Sequence, residues 1–349
     1  MINVMNNKIN IAVIGATGNV GRLLIDILYE RQLPIRHLYC ISNNLIGHNI
    51  SFGQQNIVTQ SIKNFDFRGI NIVFSCVNAQ VAKSIVPKIV SAGAKVIDKS
   101  SYFRLKSDIP LVIPEINIDT ITTDSRIISS PNCCVVPLIL VLKPLDDVAK
   151  IKKLVIATYQ STSGAGKDAI EELDMQTRNR YLEQSETLTP QIFPKQIAFN
   201  IIPQIGMIME NGRCDEEDKI IREIQKIIGR QIAISITCVR VPTFVSHAFA
   251  VNVEFEYNLS VKDAESLLVK LNGIKLISNV KNSMSNISSD IVTPVDVTGK
   301  NDVFVSRIRK EKNIKNSLSL WISTDNLRKG SALNAVQIAE NILLQQKLI

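Results

Sequence analysis

The stretch INIAVIGATGNVGRLLIDIL, residues 9–28, decides the fold. INIAVIG is a continuous apolar run that stops at a glycine, as a strand buried on both faces of a parallel sheet does. In the segment that follows, Val20, Leu23, Leu24, Ile27 and Leu28 fall at helical spacing on one face. Between strand and helix, GATGNVG places Gly15, Gly18 and Gly21. Glycines there permit a tight turn and a close approach of phosphate, and the helix N-terminus offers N–H groups to an anion. In a strand–turn–helix the pattern points to a dinucleotide.

Outward from this unit, HLYCIS (37–42), NIVFSCV (71–77) and AKVIDKS (94–100) read as further strands. AQVAKSIVPKIVSAG (79–93) reads as a helix interrupted by Pro87. Strand and helix alternate, which predicts a doubly wound parallel sheet. The pattern changes after about residue 150. IKKLVIATYQS (151–161) reads as a strand, KDAIEELDMQTRNRYLEQ (167–184) as a charged, exposed helix. EEDKIIREIQKIIG (216–229) is a helix with an isoleucine face, and HAFAVNVEFE (247–256) alternates like a strand with one solvated side. VFVSRIR (303–309) and LSLWIS (318–323) alternate similarly, and GSALNAVQIAENILLQQ (330–346) returns to helix. The second half is therefore expected to be an α+β domain, a mixed sheet with helices on one face.

The 349 residues suit two ordinary domains. Apolar content is 45% and charged content 21%, a globular composition. The net charge is +8, yet no block of five like charges occurs and aromatics are not interleaved with basic residues, which argues against a nucleic-acid partner. No apolar run approaches the roughly 20 residues that span a bilayer, and MINVMNNKINIAVIGA runs straight into a strand. The six cysteines form no C-x-x-C pair, so free thiols in a reducing cytoplasm are expected, with no metal.

The second strand bears on the choice of cofactor. A site for NAD wants an acid near its end, for the ribose hydroxyls. CISNNLIG (40–47) has no acid there and no arginine, but Ser42, Asn43 and Asn44 can hydrogen-bond a 2′-phosphate. The reading favours NADP.

SPNCCVVPLILVLKPL (130–145) looks like a loop entering a helix. Pro137 is tolerated only in a first turn, which puts Cys133 at the N-cap and Cys134 first in the helix. A thiol at a helix N-terminus is favoured as thiolate, the nucleophilic form. The alternative is that both cysteines are small core residues. Of three histidines, His37 and His48 lie in the nucleotide half, so His247 is by elimination the candidate base.

Taken together the chain resembles the aspartate-β-semialdehyde dehydrogenase family. The resemblance runs through GATGNVG, SSYFR (100–104), PEIN (114–117), SPNC (130–133), YQSTSGAGK (159–167), AFNIIPQIG (198–206) and EEDK (216–219). It continues through CVRVPTFVSHA (238–248), TPVDVTGKNDVFVSRIR (293–309) and DNLRKGSALNAVQIAE (325–340), in the family's order. It implies a Rossmann-type domain at 1–132, with the last helix (330–349) packed back onto it. It also implies a catalytic and dimerisation domain at 133–329, similar to that of glyceraldehyde-3-phosphate dehydrogenase, in a homodimer.

The resemblance selects Cys133 as nucleophile, His247 as acid/base and Gln160 as the residue orienting substrate. It implies Arg240 for the substrate carboxylate, Glu216 and Lys219 for its amino group and phosphate, and Arg104 and Asn132 for the rest of the phosphate site. It implies cofactor contacts at Gly15, Thr17, Gly18, Asn19, Val20, Ser42, Asn44, Ser163, Gly164 and Asn334. Asn44 stands where the family usually has an arginine, Lys99 where it often has asparagine. The implied reaction is NADP-dependent reductive dephosphorylation of 4-aspartyl phosphate to aspartate 4-semialdehyde, which feeds lysine, threonine, methionine and diaminopimelate synthesis. The alternatives are an N-acetyl-γ-glutamyl-phosphate reductase, whose cysteine typically follows glycine, and a non-catalytic nucleotide-binding protein. Glyceraldehyde-3-phosphate dehydrogenase itself is disfavoured, since SCTTN is absent.

Overall fold

The computed structural model describes residues 8–182, 189–277 and 291–346. Its chain divides into two compact units, residues 1–132 with 331–349, and residues 133–330. The division falls after Gly330, one residue beyond the boundary taken from the sequence.

In the first unit the chain runs β1 (Ile9–Ile14), α1 (Asn19–Glu30), β2 (Ile35–Ser42), a hairpin of β3 (Asn49–Phe52) and β4 (Gln55–Val58), and β5 (Gln60–Ser61). It continues through β6 (Ile72–Ser75), α2 (Ala79–Ser91), β7 (Lys95–Asp98), α3 (Pro114–Asn117) and β8 (Ile127–Ser129). The sheet order is β5-β2-β1-β6-β7-β8 and every pairing is parallel. The apolar run at the N-terminus is the strand β1, beside the point where the strand order reverses.

The second unit runs α4 (Val135–Ala149), β9 (Ile151–Gln160), α5 (Lys167–Tyr181), α6 (Asp215–Ile228), β10 (Ala233–Arg240), β11 (His247–Phe255) and α7 (Val261–Leu268). It ends with β12 (Ile274–Ile277), α8 (Pro294–Val297), β13 (Val303–Arg309) and β14 (Ser317–Thr324). Its sheet is mixed, in the order β10-β9-β11-β14-β13-β12, with β11 antiparallel to both neighbours. Helices α4, α6 and α7 pack against it, with α4 in contact with both of the others. The first eight residues of α4 are all buried, as in a helix that is apolar all round. Finally α9 (Leu333–Gln345) belongs to the first unit. There α1 and α9 share one apolar cluster on the sheet, while Ala82, Val86 and Ile89 of α2 belong to another. Apolar faces on both sides of the sheet are what winds it doubly.

Three local expectations are corrected. Pro87 does not interrupt α2, which runs unbroken because burial of Ala82, Val86 and Ile89 outweighs the missing backbone bond. Helix α4 begins at Val135 with Cys134 at the N-cap, so Cys133 lies one residue further out; Pro137 remains in the first turn. Strands β3, β4, β5, β8, β10 and β12 went unread; all but the eight-residue β10 are four residues long or fewer. Helix α5 ends at Tyr181, and residues 183 and 184, once expected in it, lie outside the described residues.

The glycines of the turn divide by their surroundings. Gly15 has φ +79°, and a Cβ there would stand 2.3 Å from the Cys76 carbonyl oxygen. At Gly21 a Cβ would stand 2.2 Å from the Gly15 oxygen, whereas at Gly18 the nearest atom is 3.5 Å away. Gly15→Ala combines a left-handed backbone with a clash, so it should lose about 2 kcal/mol or more of stability. Gly18→Ala should stay within about 0.5 kcal/mol of the parent. Urea denaturation of the two variants checks this; equal losses would mean that the turn tolerates neither side chain.

Candidate active site

In the second unit, one edge of the mixed sheet gathers the chemistry. Parallel pairing sets Gln160, the last residue of β9, opposite Arg240, the last of β10. Antiparallel β11 starts at the same edge with His247, paired with Thr324 at the end of β14. Cys133 precedes α4, and its Sγ lies 3.5 Å from His247 Nε2. Cys134 is buried, and burial together with the neighbouring Cys133 pushes its thiol well above the usual range. Of the adjacent pair, only Cys133 is partly exposed.

The imidazole is held by one loop. The Ser161 N–H donates to His247 Nδ1 at 3.1 Å, and the Ser161 hydroxyl is also 3.1 Å from that atom. A nitrogen that accepts from a backbone N–H keeps its lone pair there, so in the neutral ring the proton sits on Nε2. Nε2–H then faces the Cys133 sulfur. A Cβ at Gly164 would come within 3.4 Å of the imidazole and 3.1 Å of Arg240 Nη1, so the glycine lets the loop close over both. At Gly330 a Cβ would stand 2.9 Å from the Cys133 oxygen.

Polar side chains around the pair are oriented rather than loose. Thr158 Oγ1 donates to Gln160 Oε1 at 3.0 Å, which turns Gln160 Nε2 toward Glu216 Oε1 at 3.3 Å. Arg240 is buried and donates from Nη1 to the Ser161 carbonyl at 2.7 Å. Burial pushes its pKa down, and the nearby Glu216 opposes the shift. Glu216 and Lys219 stand on the first turns of α6, where Lys219 pairs with Asp215. A buried cation, a carboxylate, an amide and a thiol at one sheet edge can grip a small zwitterion and attack its acyl carbon.

The first unit has its own cleft, about 290 Å³, at the ends of β1, β2 and β6. Gly15, Thr17, Gly18, Ser42 and Asn44 line it, with Asn43, Cys76, Val77 and Asn78, and neither a carboxylate nor a cation is in the lining. The N-cap of α1 is Gly18, without a side-chain cap. Asn19 Nδ2 is buried with no hydrogen-bond partner among the described residues. Both observations suit an anion with acceptor oxygens. Ser42 Oγ is 3.2 Å from Thr17 Oγ1 and accepts from Leu45 N–H. Val20 packs into the apolar core instead. Asn334 is also outside the cleft lining; its amide donates to the Val112 carbonyl and to Ser130 Oγ. Arg104 donates to the carbonyls of Ser130 and Lys99, and Asn132 is buried. Lys99 Nζ donates to the Ser331 carbonyl.

Sequence reasoning missed Ser161 and Asn326. Asn326 is buried, and its Oδ1 lies 3.3 Å from Ser161 Oγ and 3.2 Å from Ser163 Oγ and accepts from the Ser246 N–H at 2.9 Å. The DNLRKG stretch contained it, but nothing in one sequence says that position 326 meets position 161. Asn326→Ala would strip an acceptor from three buried donors, each costing about 1–3 kcal/mol when left unpaired. The variant should be less stable by about 2–4 kcal/mol in thermal or urea unfolding. A loss under about 0.5 kcal/mol would show that water replaces the amide.

Comparison with known proteins agrees with this division. A family described as semialdehyde dehydrogenase, NAD binding domain, matches residues 10–123, and one described as semialdehyde dehydrogenase, dimerisation domain, matches residues 142–329. The aspartate-semialdehyde dehydrogenase of Rickettsia bellii is 47% identical over 342 residues, 97% of this chain and 99% of the relative. That of Aquifex aeolicus is 38% identical over 344 residues, 97% of this chain and 99% of the relative. Among solved structures, aspartate semialdehyde dehydrogenase II of Vibrio cholerae complexed with ASA superposes with a TM-score of 0.91 at 36% identity, covering 97% of this chain and 98% of that one. With matches spanning nearly its whole length, the chain belongs to the aspartate-semialdehyde dehydrogenase family.

Proposed function

We propose that this chain reduces 4-aspartyl phosphate to aspartate 4-semialdehyde through a thioester on Cys133, with NADP as cofactor. The observation that carries the reading is the Cys133–His247 contact beside the buried Arg240 and the Gln160–Glu216 pair. The cofactor, when bound, supplies the hydride. Gly15, Gly18 and the uncapped start of α1 would hold its phosphates.

The roles follow from chemistry. Arg240 grips the α-carboxylate, and its planar fork, fixed by Ser161, leaves further N–H groups for that purpose. Glu216 meets the substrate ammonium. A free ammonium is what separates this substrate from one acylated at nitrogen. Gln160, fixed by Thr158, orients the acyl group. Lys219, Arg104 and Asn132 supply the phosphate contacts. The Cys133 thiolate attacks the acyl carbon, the C–O bond to phosphate breaks, and a thioester remains. His247 Nε2–H donates to oxygen as charge builds there, and takes the proton back when the thiohemiacetal collapses to aldehyde and thiolate.

A cytoplasmic homodimer completes the proposal. All six cysteines are free thiols, and none of the described helices is long and apolar enough to cross a membrane. The face of the mixed sheet away from its helices carries Val155, Tyr159 and Trp321 beside Arg307 and Arg309, around a groove of about 450 Å³. Tyr159 and Val155 are exposed there, a patch suited to a second copy of the chain.

Purified protein with aspartate semialdehyde and phosphate should reduce NADP, followed by absorbance, with kcat/KM about 10- to 100-fold above that for NAD, or roughly 1.4–2.8 kcal/mol. No turnover with either cofactor would overturn the reading, and a preference for NAD would overturn its cofactor. Cys133→Ala should abolish turnover while Cys134→Ser keeps most of it; the reverse result would exchange the two sulfurs. Arg240→Lys keeps the charge but loses the fork, so kcat/KM should fall by about 10²-fold. A change under about threefold would remove Arg240 from the carboxylate site.

A further inference from the structure

Away from the Cys133–His247 pair, the second unit buries two more cysteines together. Cys214 is the N-cap residue of α6, and Cys238 lies on β10 two residues before Arg240. Their Sγ atoms and a Glu217 carboxylate oxygen lie within 4.8 Å of one another. Glu217 holds both backbones, accepting from the N–H of Cys214 and of Cys238, each at 2.9 Å. The cysteines are thus tied to one carboxylate from an adjoining helix and strand.

The two sulfurs are not equivalent. The neighbouring Cys238 thiol, against the opposing effect of burial and with help from the backbones of Ile205 and Glu217, pulls Cys214 down to about 7. Cys238, as donor in that contact and in a buried position, is pushed up. Cys214, at a helix N-terminus, is the more readily ionised of the two sulfurs, and Cys238 lies within 4.8 Å of it. Both are buried, but residues 207–212, which lead into Cys214, are largely exposed.

We propose that Cys214 and Cys238 form a peroxide-sensitive oxidation site whose disulfide weakens substrate binding at the start of α6. The Cys214 thiolate attacks one oxygen of hydrogen peroxide, the O–O bond breaks, and hydroxide leaves to give a sulfenic acid and, with a proton, water. The Cys238 sulfur then attacks the sulfenic sulfur, the S–O bond breaks, and the leaving hydroxide takes the Cys238 proton as a second water. Two sulfurs lose two electrons and one peroxide gains them.

Bonding draws the sulfurs from a separation within 4.8 Å to covalent distance. It also replaces the ionisable sulfur at the N-cap of α6 with a disulfide sulfur, a poorer acceptor. Cys214 directly precedes Asp215 and Glu216, and Lys219 is one turn on. The effect on binding rests on the roles proposed above for Glu216 and Lys219, whereas the disulfide does not.

The test uses full-length protein, reduced and then exposed to stoichiometric hydrogen peroxide. Non-reducing tryptic mass spectrometry should find residues 214–219 joined to residues 231–240, two hydrogens lighter than the separate peptides and released by dithiothreitol. Cys214→Ser should form no such link and keep the parent's turnover, because serine is itself a good N-cap. In Cys133→Ala protein, which lacks the competing thiol, calorimetry should show aspartate semialdehyde binding about 10-fold weaker after oxidation and restored by dithiothreitol. Absence of the link while Cys133 is oxidised, or a link from Cys238 to Cys134, would overturn the oxidation site. A link that leaves binding unchanged would keep the site and overturn the substrate role of α6.

Discussion

The hydrogen bond from the Ser161 N–H to His247 Nδ1 is the interaction on which the site turns. It fixes which ring nitrogen carries the proton, and so fixes what Cys133 meets. A backbone donor does this without a carboxylate, so the ring is oriented with no negative charge of its own partner beside the sulfur proposed as nucleophile. Position is secured in turn by Asn326, which ties Ser161, Ser163 and the Ser246 backbone into one cluster. Ser246 has a φ of +74°, an unfavourable conformation for a residue with a side chain, and it directly precedes the histidine. Its N–H is bonded to Asn326, so the same amide that steadies the loop helps hold the strained entry into β11.

Much of this was legible in one sequence, and the reasons are local. Gly15 and Gly21 could be read because each stands where a Cβ would strike backbone, a constraint visible as a motif next to an apolar strand. His247 could be reached by counting, since the chain has three histidines. Pro137 bounded the start of α4 to within a residue, the ordinary fraying of a helix end. What stayed hidden depends on partners far along the chain. Asn326 meets Ser161 across 165 positions, and Gly330 meets Cys133 across nearly 200, and no periodicity encodes either contact. The proline in α2 misled for the opposite reason: a strong local rule was overridden by burial of a whole face.

The cofactor cleft shows the same balance between local and distant signals. Its glycines were plain, and its lack of charge in the lining matches the lack of an acid or arginine in CISNNLIG. The burial of Asn334 and its commitment to Val112 and Ser130 were not, because a helical asparagine in an apolar stretch looks the same whether it faces a ligand or a carbonyl.

Strand β9 alternates, so Gln160 turns toward the site while its neighbour Tyr159 turns to the opposite face of the sheet, against Trp321 at a ring distance of 5.5 Å. The two side chains share one peptide bond, and β10 and β11 clamp that segment from either side. A slip of one residue in either ladder would exchange the faces, presenting a phenol to Glu216 and an amide to the opposite face of the sheet. Whatever shapes one surface of β9 is therefore inherited by the other: the outer face of this sheet cannot be remodelled in evolution without carrying the amide with it.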